Sequence, residues 1–105
     1  MSKSISTSKL NDALNSDNPP LVFDVRKKPA FDSDPRTITT AKWQIHDEVA
    51  SWAKEIPAGS QVVAYCVHGH AVSQNAAQAL RDLGFDITYL DGGIAGWIEA
   101  GFVVS

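Results

Sequence analysis

The sequence predicts a small α/β fold in which helices flank an open, parallel β-sheet. Three observations carry this expectation. Leu21 to Phe23 and Gln61 to Tyr65 are short, largely apolar runs of the kind a strand buried on both faces shows, and turn signals precede each, at Pro19-Pro20 and at Pro57 to Ser60. Asp86 to Leu90 reads as a third strand closed by Gly92 and Gly93. Between the last two, Ala76, Ala77, Leu80 and Leu83 recur at spacings that share one helical face, with Gly84 placed to stop the helix. Strand, helix, strand is the repeating unit of a parallel sheet.

The remaining elements follow in chain order. Ser6, Thr7 and Ser8 offer N-caps for a short helix through Leu10 and Leu14 that ends in the polar run Asn15 to Asn18. Pro29 to Thr40 has no clear period and is expected to be loop, with a short strand around Ala41 to Trp43. His46 or Asp47 opens a second helix through Val49, Trp52, Ala53 and Ile56. No internal repeat, low-complexity tract or linker interrupts the chain, so residues 1–105 are expected to form one domain around one core.

Composition narrows the partners. The net charge of -3 supplies no basic stripe to hold a phosphate backbone, so a nucleic-acid partner is not expected. Apolar runs such as Val62 to Tyr65 fall far short of the roughly 18 to 20 residues that cross a bilayer, so no membrane role is expected either. One cysteine cannot form an internal disulfide, and no signal-peptide pattern marks the chain near Met1, which points to a reducing, cytoplasmic setting. The expected partner is a small molecule or another protein.

That cysteine, Cys66, directly follows the second strand, and in open parallel sheets the ligand crevice lies outside the carboxyl ends of the strands. Val67 to Val72 is expected to be a loop leading into a helix near Ser73, whose amino end favours an anion through its unpaired N–H groups and dipole. Such surroundings favour the nucleophilic thiolate, whereas free cysteines elsewhere serve mostly as small buried hydrophobes. Gly69 lets the loop curl so that successive amides aim at one point. His68 and His70 have two readings: they contact or protonate a leaving anion, or they face water. A metal held by Cys66, His68 and His70 is a minor alternative, because three ligands within five residues would have to converge while the amides do the same.

Taken together, "FDVR", "YCVHGH", "AAQALRDLGF" and "YLDGGIAGW" resemble a single-domain rhodanese, a sulfurtransferase of the rhodanese-like superfamily. The match runs in order from Leu21 to Gly101. The resemblance implies a five-stranded parallel sheet with helices on both faces. It also implies that Cys66 takes a sulfane sulfur from a donor such as thiosulfate, becomes a persulfide, and passes the sulfur to a thiol, a thioredoxin-like protein or cyanide. Carried over by position, Cys66 is the nucleophile, and Val67, His68, Gly69, His70, Ala71 and Val72 supply the amide cradle around the substrate. No metal or organic cofactor is implied, and the domain is expected to be a monomer.

Two departures bear on this resemblance. Ala71 stands where the family commonly has arginine or a small hydroxyl residue, five after the cysteine. The Ala76-Ala77 pair, Leu80 and Gly84 are all displaced by one residue, which predicts a loop longer by one. A longer loop resembles that of the cell-cycle phosphatases and arsenate reductases of the same superfamily, which end in Cys-x5-Arg; here Val72 holds the arginine position. An oxyanion enzyme of that type is the second reading, and a non-turnover sulfur carrier or interaction module the third. Asp24 and Arg26 are expected to fix the loop edge by hydrogen bonds or a salt bridge. Arg26 to Lys28 could also draw in anions. Asp91 to Gly93 read as a tight turn, and Trp43, Trp52 and Trp97 as packing groups.

Overall fold

The computed structural model describes residues 3–105. Five strands, β1 (Lys3–Ile5), β2 (Leu21–Asp24), β3 (Lys42–Trp43), β4 (Gln61–Tyr65) and β5 (Asp86–Leu90), form one sheet in the order β1-β5-β4-β2-β3. Every pairing is parallel. β4 sits at the centre, with Val62 to Tyr65 all buried, which is why it reads as an unbroken apolar run.

Alternate side chains of the central strands feed two cores. On one face Phe23, Val62, Ala64 and Ile87 pack with Val49, Trp52, Ala76, Ala77 and Leu80. These come from α3 (Val49–Trp52), continued by a 3-10 turn over Ala53–Glu55, and from α4 (Ala71–Asp82). On the other, Val22, Val63, Tyr65 and Leu90 pack with Leu10 of α1 (Thr7–Leu14) and with Ile94 and Trp97 of α5 (Gly93–Glu99). Helices therefore cover both faces, and the sheet's carboxyl edge is left to the connecting segments.

Four expectations need correction. The segment 29–40 is not all loop: α2 spans Lys28–Ser33. Pro29 is compatible with the first helical turn, and Phe31 packs on Trp43 with ring centroids 5.4 Å apart, but a helix this short shows no period. The helix after Cys66 begins at Ala71 rather than Ser73, so Ala71 and Val72 belong to its first turn and not to the loop. Leu83 lies beyond the end of that helix and is 52% exposed, because the buried stripe stops at Leu80. The second helix opens at Val49 behind Glu48, and neither His46 nor Asp47 caps it.

The sequence reading also passes over β1 and α5. β1 is a mostly exposed edge strand with a polar sequence, paired with β5. α5 contains Gly93 and Gly96, poor helix formers, and is maintained by the burial of Ile94 and Trp97.

Candidate functional site

Cys66 directly follows the central strand and is buried, with 5% of its surface exposed. Two features hold the backbone that follows it. The N–H groups of Ile94 and Ala95, in the first turn of α5, donate to the carbonyls of Cys66 and Val67, each at 3.0 Å. Gly93 lies so close that a β-carbon there would overlap those same two carbonyl oxygens. Gly69 adopts φ +76°, and a β-carbon there would sit 2.7 Å from the Leu90 carbonyl oxygen. Both glycines are required by close backbone approach as well as by positive φ. The loop between Cys66 and α4 is thus clamped onto the Asp91–Gly93 turn.

Loop and helix meet at the sulfur. The Cys66 thiol donates to the Ser73 Oγ at 3.1 Å, and the Ser73 hydroxyl donates to the His70 carbonyl at 3.4 Å. Ser73 is fully buried on the first turn of α4. Among the described residues no amide from Val67 to Ser73 donates to a backbone carbonyl. Those N–H groups, at the head of a twelve-residue helix, are available to an anion. Gln74 secures the turn from the far side, its Nε2 donating to the Gly69 carbonyl at 3.0 Å.

A cavity of about 300 Å³ opens beside the sulfur, lined by Arg26, Lys27, Ala30, Cys66, Val67, His68, His70, Ala71 and Val72. Of Cys66 and the cradle residues Val67 to Val72, only Gly69 does not line it, being turned toward Leu90 and Gly92. His68 and His70 are exposed at the rim, their rings 6.2 Å apart. Among the described residues no group of three or more His, Cys, Asp or Glu side chains is placed to hold a metal ion. Larger cavities lie elsewhere, as between Pro19–Phe23 and Trp52–Pro57, but without a cysteine or histidine.

Arg26 is a wall of this cavity rather than a free charge. Its Nε donates to both Asp24 carboxylate oxygens at 3.0 and 2.9 Å, and its Nη2 to Asp24 Oδ2 at 2.6 Å. Nη1 and Nη2 also donate to the carbonyls of Asp34 and Arg36, at 2.8 and 2.9 Å. The ion pair is buried on both sides. It ties the end of β2 to the segment after α2, as the sequence reading expects of a loop-edge fastener. Tyr65 belongs to the same buried framework: burial, reinforced by the Asp24 charge, pushes its hydroxyl up, so it stays protonated, and it accepts the Ile38 N–H at 3.2 Å.

The residue that the sequence reading overlooks is Ser73. Its position seven after the cysteine is visible, yet a serine near a helix start reads first as a capping residue. Only the early helix start at Ala71 turns its hydroxyl to the sulfur.

A parallel α/β domain with a buried thiol at the carboxyl end of its central strand, framed by a glycine-clamped loop and a helix amino terminus, defines a class of α/β folds whose candidate site is centred on one cysteine. Within that class the family is clear: the rhodanese-like domain model matches residues 6–100, and the chain belongs to that family. Among solved structures it is similar to a rhodanese-related protein from Thermoplasma volcanium, with 27% identity and a TM-score of 0.83 over 98% of this chain and 97% of that one. A Pseudomonas aeruginosa thiosulfate sulfurtransferase superposes on all of this chain with a TM-score of 0.84 at 21% identity, though only 19% of that longer protein is covered. A Rhodopseudomonas palustris protein described as a possible tyrosine phosphatase gives 0.81 at 20% identity, over 99% of this chain and 85% of its own. The last two share the fold. No helix among the described residues is long and apolar enough to cross a membrane.

Proposed function

We propose that this protein is a sulfurtransferase that carries a sulfane sulfur on Cys66. The observation that carries the reading is the placement of the Cys66 sulfur. It lies against the buried Ser73 hydroxyl, at the head of α4, beside a cavity walled by a loop whose amides have no backbone acceptor. In the first half-reaction the Cys66 thiolate attacks the outer sulfur of the donor. The sulfur–sulfur bond of the donor breaks, its electron pair leaves with the departing anion, and a cysteine persulfide remains. In the second, a thiol or cyanide attacks the terminal persulfide sulfur and releases the Cys66 thiolate. The amides of Val67 to Ser73 offset the negative charge on the persulfide and on the departing group. Acceptors of this kind, including a thioredoxin-like protein, and a nucleophile that must stay reduced fit a monomer working in the cytoplasm.

Phosphate or arsenate chemistry is less well served. Val72 stands where that chemistry needs an arginine, and the nearby Arg26 is engaged by Asp24 and two carbonyls, so no bidentate guanidinium faces the cavity. Intact-mass spectrometry under non-reducing conditions tests the proposal. Incubation with a sulfane-sulfur donor should add one sulfur to the wild-type chain and none to Cys66→Ser. An unchanged wild-type mass in excess donor would remove the sulfurtransferase reading.

A further inference from the structure

We infer that the Cys66 cavity selects monoanionic sulfane-sulfur donors that carry an apolar organic group, such as thiosulfonates, over the inorganic dianion thiosulfate. This rests on the sulfur-transfer reading and specifies its donor. Three observations lead to it.

Charge comes first. A dianion in a protein cavity needs fixed counter-charges, because the desolvation penalty grows with the square of the charge and is about four times larger for two charges than for one of equal size. The guanidinium on the wall is neutralised by Asp24, 2.6 Å away, and its remaining bonds go to the carbonyls of Asp34 and Arg36. Lys28 is drawn off to Asp32 at 3.2 Å. That leaves the exposed Lys27 as the cavity's one lysine, in a chain whose net charge is -3. The loop amides suit a single negative charge next to the sulfur and do not replace a second cation.

Size and surface complete the case. The cavity measures about 300 Å³, of which thiosulfate would fill only a fraction. Ala30, Val67, Ala71 and Val72 present carbon to it, and only Cys66 among its lining residues brings sulfur. Apolar walls beside an anion-binding loop fit a molecule with the same division: a terminal sulfur at the thiolate and a hydrocarbon group against the wall.

The chemistry balances without another reagent. The Cys66 thiolate attacks the terminal sulfur of R–SO2–S⁻, the sulfur–sulfur bond breaks, and its electron pair leaves with the sulfinate R–SO2⁻. One persulfide anion and one sulfinate anion replace one thiolate and one thiosulfonate anion.

The test compares benzenethiosulfonate, methanethiosulfonate and thiosulfate as donors, with cyanide as acceptor and thiocyanate as readout. Each rate is normalised to the protein-free reaction of the same donor with cyanide. The expected order of kcat/KM is benzenethiosulfonate, then methanethiosulfonate, then thiosulfate, with about tenfold or more between the first and last from burial of the ring. Ala71→Arg supplies the second arm. Ala71 is exposed on the first turn of α4 and lines the cavity, so the new guanidinium reaches the mouth without disturbing the core. It should raise kcat/KM for thiosulfate and shrink the preference. Equal or better use of thiosulfate by the wild-type chain, or a preference unmoved by Ala71→Arg, would overturn the inference while leaving sulfur transfer intact. If none of the three donors adds sulfur to Cys66 by mass, the sulfur-transfer reading itself falls, and this inference falls with it.

Discussion

The Cys66 sulfur lies 3.1 Å from the Ser73 hydroxyl oxygen, and both side chains are buried. As a thiol, Cys66 donates and Ser73 accepts, while the Ser73 proton rests on the His70 carbonyl at 3.4 Å. That second contact is longer than the 2.5–3.0 Å typical of hydroxyl donors, so the hydroxyl gives it up at little cost. Once Cys66 ionises, the Ser73 hydroxyl can turn and donate to the sulfur instead. A hydrogen bond to a charged group is worth about 1.5–3 kcal/mol, so Ser73→Ala should slow alkylation of Cys66 at neutral pH by about tenfold or more. Urea unfolding serves as the folding control. An unchanged alkylation rate in a folded Ser73→Ala would make Ser73 a packing residue only.

Asp24 and Arg26 give a stability prediction. Removing one member of a buried pair leaves an uncompensated charge, a loss of about 3–5 kcal/mol, so Arg26→Met should lower the urea midpoint substantially. The double variant Asp24→Asn, Arg26→Met removes both charges and should lose less than the single change. The carboxamide oxygen it places on β2 can still accept the backbone N–H of residue 26, which Asp24 Oδ1 now accepts at 3.0 Å. A double variant less stable than Arg26→Met would show that the stranded charge is not what makes the single change costly.

The segment Arg26 fastens has its own acid response. The Asp34 carboxyl is held well below the ordinary carboxylate range, at about 2, chiefly because the Arg36 guanidinium bonds it, at 2.8 and 2.7 Å. A folded-state pKa depressed from 3.8 means the contribution to stability is fully present above about pH 4 and is lost as pH falls toward about 2. Because the pair is exposed, the contribution is small and is screened by salt. Carboxyl NMR should place the Asp34 midpoint near 2, and Arg36→Ala should return it toward 3.8. An unmoved midpoint in that variant would assign the shift to another cause.

The elements that build the site differ in how far the sequence exposes them. β4 and β5 have the bounds expected, because a strand buried on both faces must be apolar and must be closed by turn residues. The position of Cys66 is legible for the same reason: the residue directly after such a strand lies at the carboxyl edge of the sheet. β1 and α5 are not legible. A three-residue edge strand needs no apolar face, and a helix containing Gly93 and Gly96 exists because its N–H groups and buried side chains find partners elsewhere in the fold. The Cys66–Ser73 contact fails for a related reason. It depends on whether the helix starts at residue 71 or 73, and helix starts are fixed by local competition that propensity resolves poorly. The Arg26 network lies between these cases: the pair is foreseeable from "FDVR", but its bonds to the carbonyls of Asp34 and Arg36 require the chain after α2 to fold back.

Gly93 carries the last prediction, because it separates conformational strain from close approach. Gly93 and Gly84 both have positive φ, at 60° and 93°. Around Gly84 a β-carbon would meet nothing within 4 Å, so Gly84→Ala should cost only the left-handed strain of about 1–2 kcal/mol and leave the proposed sulfur transfer unchanged. At Gly93 the same methyl group would collide with the carbonyl oxygens of Cys66 and Val67, both backbone and both already bonded by the N–H groups of Ile94 and Ala95. Those atoms cannot move without moving the strand end that holds the sulfur. Gly93→Ala should therefore lose more stability than Gly84→Ala in urea unfolding, and where it remains folded it should transfer sulfur far more slowly. Cys66 alkylation should slow in parallel, since the displaced strand end carries the sulfur away from Ser73. Equal losses in the two variants would mean that the loop tolerates the intrusion, and that the clamp between α5 and the strand end does not position Cys66.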